Sequence, residues 1–142
     1  MSLKHLLMLI AAGIAFLIVV FIILRFIFKR RKKRDYPAKV QQKWLDIQRL
    51  CANKKTWPVA VVRADRLLEE ALKQTKFKGK TIGERLVAAQ RKLTDNDGVW
   101  HAHNLAKSLK DKKNTRLREA DVKKALVGFR QALRDLGVMN GK

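Results

Sequence analysis

The residues able to carry chemistry are few. Three histidines (His5, His101, His103), one cysteine (Cys51) and twelve carboxylates are all the chain offers for proton transfer, nucleophilic attack or metal binding. A catalytic or metal site needs several such groups to converge. His101 and His103 stand two apart on a helical stretch, so they turn to different faces. His103 has Val99 four residues before it and Lys107 four after. With Val99, Trp100 and Ala106 as its neighbours, His103 reads as a packed core histidine. Cys51 reads as a small hydrophobe on a helix face. Asp65, Glu69 and Glu70 share a helix with Arg63 and Arg66, a pattern that predicts a solvated, ion-paired face. The sequence holds no Gly-rich phosphate loop, no Walker pattern and no Gly-x-Ser-x-Gly elbow. The expectation is a chain without catalytic, cofactor-binding or metal residues, requiring no cofactor and showing no small-molecule substrate, hence not an enzyme.

The elements that would carry these residues divide into two parts. Leu6–Leu24 reads LLMLIAAGIAFLIVVFIIL, nineteen uncharged and mostly apolar positions. At about 1.5 Å per helical residue it spans roughly 28 Å, close to a bilayer's hydrocarbon thickness. In lipid the helix wins over the β-branched residues that would weaken it in water, because unsatisfied backbone costs several kcal/mol there. A buried core helix and a cleaved signal peptide compete with this reading. The signal peptide needs a small-x-small site after the apolar run, and here Arg25-Phe-Ile-Phe-Lys29 through Arg34 follows instead. Only Lys4 precedes the run, whereas Lys29, Arg30, Arg31, Lys32, Lys33 and Arg34 follow it consecutively. That asymmetry places the C-terminal side in the cytoplasm and the N-terminus outside. Residues 1–34 are therefore expected to be a single-pass anchor in the cell membrane with a polybasic flank. Residues 35–142 are expected to be a cytoplasmic domain.

Asp35-Tyr-Pro37 predicts an interruption, since Pro37 lacks an N–H and disfavours the α region for Tyr36. Beyond it the apolar positions recur at helical spacing. Val40, Trp44, Ile47, Leu50 and Cys51 form one face over about 39–53, and Asn53–Thr56 is a break. Thr56 is the expected N-cap of the next helix, with Pro58 in the first turn and Val61, Ala64, Leu68, Ala71 and Leu72 buried. Thr81-Ile-Gly-Glu84 has the pattern of a capping box, followed by Ile82, Leu86, Ala89 and Leu93. Asp97 is the expected cap of a helix carrying Val99, Trp100, His103, Ala106 and Leu109. After a basic loop over 110–115 comes a last helix with Leu117, Val122, Leu126, Phe129, Leu133 and Leu136, stopped at Gly137-Val138 in Schellman fashion. No strand pattern and no internal repeat is seen. The fold class is all-α: one N-terminal transmembrane helix and a compact bundle of about five helices. Trp44, Trp57, Trp100, Leu68, Leu86 and Phe129 are expected in its core.

Three blocks carry a resemblance: Trp57-Pro-Val-Ala-Val-Val-Arg-Ala-Asp65-Arg-Leu-Leu-Glu, Gly79-Lys-Thr81-Ile-Gly-Glu-Arg-Leu86, and Trp100-His-Ala-His103. Over nearly all of residues 40–138 the chain resembles a family of small single-pass membrane proteins of ultra-small, reduced-genome bacteria such as the Saccharibacteria. In that family the segment after Ala-His often reads like the Arg-Asn…His signature of HEPN-type helical domains, which include ribonucleases and interaction modules. Here Ala106, Lys107 and Asp111 stand at the positions of the Arg, the Asn and the His. The resemblance thus implies a HEPN-like bundle without its catalytic pair.

Charge bounds the partners. The 33 Lys and Arg outnumber the 12 Asp and Glu for a net +21. Residues 1–34 hold eight of the basic residues and no acid, which leaves net +13 to the remainder. Arg25 and Lys29–Arg34 are placed at the membrane surface, where anionic headgroups are the expected partner at about 1 kcal/mol per charge. Lys76, Lys78 and Lys80 form one candidate anion or nucleic-acid patch. Lys107, Lys110, Lys112, Lys113, Arg116 and Arg118 form another. A proteome-wide lysine bias, a nucleic acid, lipid or an acidic protein partner would each account for such patches. The reading is a membrane-anchored, non-catalytic binding or scaffolding module. The alternatives are a membrane-tethered nucleic-acid-binding protein acting through the basic loops and a HEPN-type ribonuclease.

Overall fold

A computed structural model describes residues 2–112 and 116–140. Its elements, in chain order, are α1 (Leu3–Leu50), a 3-10 turn (Lys54–Thr56), α2 (Trp57–Gln74), α3 (Ile82–Ala89), α4 (Asn96–Asp111) and α5 (Glu119–Asp135). There is no strand among the described residues, so the chain is all-α as the periodicity required. It divides into two compact units, Met1–Tyr36 and Pro37–Lys142.

In the first unit every large apolar side chain from Leu3 to Phe28 lies exposed, apart from the half-exposed Val20. This stretch is long and apolar enough to cross a membrane. Just past it, the Arg30 guanidinium sits 4.3 Å from the centroid of the Phe26 ring, one helical turn back.

The expected break at Asp35-Tyr-Pro37 does not occur: α1 continues through Pro37 to Leu50. Proline removes one i→i−4 hydrogen bond and costs about 3 kcal/mol inside a helix. Long runs of Lys, Arg, Gln and Leu on both sides propagate the helix cooperatively. Val40, Trp44 and Ile47, at i, i+4 and i+7, are then buried in the second unit and hold the last turns of α1 in place.

The second unit is arranged around α2. Its stripe of Ala60, Val61, Ala64, Leu67, Leu68, Ala71 and Leu72 is buried, and α3, α4 and α5 all pack against it, while α4 also packs on α5. Phe129, Leu68, Leu72, Leu86 and Leu133 are fully enclosed. Of the expected core aromatics, Trp44 is buried, whereas Trp57 and Trp100 are half-buried. Trp57 keeps its indole N–H on the Cys51 carbonyl at 3.0 Å, as an amphipathic ring at a helix start would.

Two caps differ from expectation. Thr56 does precede α2, but its hydroxyl donates to the Leu50 and Asn53 carbonyls, closing the end of α1 rather than capping α2. Asp95, not Asp97, caps α4, accepting from the Gly98 N–H at 2.8 Å. An N-cap oxygen must reach the N–H three residues on, and Asp97 lies too far inside, where its charge instead faces the positive helix end. Thr81 caps α3 as expected, accepting from Glu84 N–H at 3.2 Å. The Glu84 carboxylate reaches back one residue further than a capping box requires, to the Lys80 N–H at 2.7 Å.

The ends of α2 and α5 share one geometry. At α5, Gly137 (φ 71) is followed by Val138 N–H donating to the Leu133 carbonyl, the expected Schellman stop. At α2 the same bonds form, Lys76 N–H to Lys73 O and Phe77 N–H to Leu72 O, both 3.1 Å, but the left-handed residue is Lys76 (φ 66). A side chain at such a position costs about 1 kcal/mol relative to glycine.

The α4–α5 contact is closest at Gly128, where an added Cβ would stand 2.5 Å from the Gly98 carbonyl oxygen. Backbone on backbone leaves nothing to yield. Gly128→Ala is therefore expected to cost about 1–3 kcal/mol, read as a lower midpoint in thermal unfolding of the full chain in neutral detergent. Gly83→Ala, whose Cβ comes no nearer than 3.5 Å, to the Trp100 ring, leaves the midpoint unchanged or raises it.

Candidate functional site

The expected solvated face of α2 is corrected at Asp65. Asp65 is four residues after Val61 and three before Leu68, which places it inside the buried stripe, and it is only 2 % exposed. Arg63 and Arg66 beside it are exposed on other faces, because each helical residue turns by about 100°. Glu69 and Glu70 do behave as expected, pairing with Lys73 at 2.7 Å and Lys43 at 2.5 Å near the surface.

A buried carboxylate requires donors, and α4 supplies two. His103 Nδ1 lies 2.8 Å from Asp65 Oδ1, and Lys110 Nζ lies 2.8 Å from Oδ2. His103 and Lys110 are seven residues apart, two turns on one face of α4, so a single side chain of α2 is gripped at both oxygens. A carboxylate only accepts, so Nδ1 carries the hydrogen. His103 is 8 % exposed, and the Trp100 ring meets it edge-on with centroids 6.0 Å apart and planes at 72°. Trp100 in turn covers Gly83 at the start of α3.

Residues from the three sequence blocks thus meet in one chain of contacts, Gly83 to Trp100 to His103 to Asp65. His103 is the packed histidine that its neighbours predicted, and His101 is exposed on the opposite side of α4. The Asp65 pairing was legible only through its position in the apolar stripe. Among the described residues no three His, Cys, Asp or Glu cluster as metal ligands would. Cys51 is half-buried, its thiol 3.3 Å from the Ile47 carbonyl, and burial pushes that thiol's pKa up, away from reactivity.

The two expected basic patches fare differently. In the second, Lys110 is committed to Asp65, and Arg118 pairs with Asp121 at the start of α5 with its Nε at 3.0 Å. Lys107, Lys112 and Arg116 are exposed, and Lys113 lies outside the described residues. Four of its cations, Lys107, Lys112, Arg116 and Arg118, thus stay exposed, while Lys110 also serves the packing of α4 on α2. In the first, Lys76, Lys78 and Lys80 are all exposed and make no ion pair among the described residues. The Lys110 end of α4 lies beside Asp65 in the middle of α2, and its Trp100 end beside Gly83 at the start of α3. Arg25, Lys29, Arg30, Arg31, Lys32, Lys33 and Arg34, placed at the membrane surface by the sequence, are all exposed along α1.

Removing the shared acceptor leaves His103 and Lys110 facing an apolar interface. Asp65→Ala is expected to cost about 3 kcal/mol, measured by urea unfolding, whereas Glu69→Ala changes stability by less than about 0.5 kcal/mol. Lys110→Met costs less than Asp65→Ala, because nearly half of the Lys110 side chain (43 %) is already in solvent.

At the start of α5 the hydrogen bond from Arg118 holds the Asp121 carboxyl below its usual range. A folded value below the unfolded one contributes stability above the ordinary carboxylate range, and that stability is lost as pH falls through the lowered value. Protection of the first-turn amides of α5, corrected for the intrinsic pH dependence of exchange, should fall in that acid window in the wild type. In Asp121→Asn the acid-dependent step should be absent.

Comparison with protein-family models, with curated proteins and with solved structures finds no match to this chain.

Proposed function

We propose that this chain is a membrane-anchored helical binding module without catalytic activity, its N-terminus outside and residues 35–142 in the cytoplasm. The observation that carries this is the exposed apolar stretch of α1 followed at once by six exposed basic residues, Lys29–Arg34. Every apolar side chain there needs a non-aqueous surrounding, and the one-sided charge sets the orientation. The basic flank and Arg25 reach anionic headgroups, with long side chains that can extend along the ring or stem beneath them as Arg30 does over Phe26.

A binding role for the second unit is favoured by how its polar groups are used. Both oxygens of Asp65 and Nδ1 of His103 are engaged in joining α2 to α4. The residues that could have performed chemistry hold the scaffold, and the excess cations remain outside for a partner. The kinship with HEPN-like bundles, in a form that lacks the Arg…His pair, rests on the residues of the three sequence blocks alone.

Gln48 is exposed, which makes it a suitable reporter position. With Cys51→Ser as background, Gln48→Cys should remain unmodified by a membrane-impermeant maleimide in intact cells and react after permeabilisation. Modification in intact cells would reverse the topology. Recovery of the protein in the soluble fraction would remove the anchor.

A further inference from the structure

We propose that the α2–α3 connection, Lys76–Lys80, binds the phosphodiester backbone of a nucleic acid. This rests on the binding-module reading and names the partner of its exposed cations. Three features carry it. The first is charge: residues 76–85 hold Lys76, Lys78, Lys80 and Arg85 against the single acid Glu84. That acid, itself exposed, is engaged by the Lys80 N–H. The second is fixed geometry. Phe77 N–H is bonded to Leu72 O, and the Phe77 carbonyl accepts from Arg85 Nη1 at 2.6 Å. The backbone is therefore held at Phe77 by both its N–H and its carbonyl, and at Lys80 through its N–H on Glu84, while the three lysines, at alternate positions, stand in solvent. Holding the loop in advance removes part of the ordering cost of binding.

The third feature is the left-handed lysine. Lys76 is the one non-glycine residue with positive φ among the described residues, in a helix-ending motif that α5 completes with Gly137. Retaining a cation where glycine would be less strained is a local sacrifice of the kind found at functional sites. Between polyanions, the loop discriminates by what it withholds. Its aromatic, Phe77, is half-buried rather than offered outward, so the outer surface is charge without an apolar wedge. That suits a sequence-independent phosphate chain better than a bilayer, into which exposed aromatics would insert.

The test uses the full chain in nanodiscs of zwitterionic lipid, with fluorescein-labelled 20-mers of uridine and of deoxythymidine, titrated from 50 to 200 mM salt. The wild type should bind both, since the phosphodiester is common to them. Binding of the uridine strand alone would reassign recognition to the 2′-hydroxyl and overturn a backbone-only site. In Lys76→Gln/Lys78→Gln/Lys80→Gln the slope of log affinity against log salt should fall by about 2, with affinity down at least about tenfold at 50 mM. The control Arg91→Gln/Lys92→Gln/Lys124→Gln should bind as the wild type does. Lys76→Gly separates charge from folding, because it should raise the thermal midpoint by a few degrees while weakening strand binding. Equal losses in the loop triple and the control triple would overturn the proposal. So would unchanged strand binding accompanied by lost binding to phosphatidylglycerol vesicles, or a lowered midpoint in Lys76→Gly. If the chain binds neither strand while the Gln48→Cys reporter stays shielded in intact cells, the nucleic-acid partner is overturned and the anchored module stands.

Discussion

A carboxylate with 2 % of its surface in water has to find hydrogen-bond donors inside the protein, and Asp65 finds two on one helix. Because His103 and Lys110 are two turns apart, satisfying both oxygens admits one rotation and one height of α4 against α2. Apolar packing alone would tolerate sliding, since any stripe of Ala, Val and Leu fits another approximately. The placement of α3 follows from the same interaction. His103 directs Trp100, and Trp100 rests on Gly83, the second residue of α3. Buried ionic groups need not add net stability relative to an apolar replacement. What this one supplies is register, with α5 then seated by the backbone contact of Gly128 on Gly98.

The distribution of charge over the whole chain follows a related logic. At least nine of the twelve acids are engaged in bonds among the described residues, at caps, in ion pairs or in the Asp65 grip. Acids are the scarce species, and they go where a backbone N–H or a neighbouring cation requires them. Glu119 is held below its usual carboxylate range by Lys123 one turn on, in the same manner as Asp121 by Arg118. The surplus cations therefore define the outer surface by default, and only where the backbone groups several of them does that surplus become a feature. The α2–α3 connection is such a place, with Lys76, Lys78 and Lys80 exposed at alternate positions.

Much of this was legible from residue order. Period-3.6 apolar spacing placed α2 to α5, and the Gly137-Val138 stop and the Thr81 cap were each marked by the residue types their geometry demands. What escaped depended on competition between effects of similar size. Pro37 carries a real local penalty, yet it is set against the cooperativity of a helix that continues on both sides of it and is packed at Val40, Trp44 and Ile47. Asp95 and Asp97 are equally good capping residues, and only the position of the first helical turn decides between them. Asp65 was masked by its neighbours in sequence: Arg63 and Arg66 adjoin it along the chain and diverge from it around the helix. Its partners lie 38 and 45 residues away, a distance at which residue order says nothing about pairing.

The lysine at the end of α2 has a consequence for what variation can achieve there. The fold makes one demand there, a backbone that only an achiral or mirror-image residue adopts freely, and the strand binding proposed above makes a second, a positive charge on a long stem. Glycine meets the first and loses the second, and lysine or arginine does the reverse. Asparagine tolerates the backbone but is neutral. No ribosomally encoded residue satisfies both, so a trade-off between folding and charge is written into the genetic alphabet at this site. A D-lysine introduced by chemical synthesis would escape it.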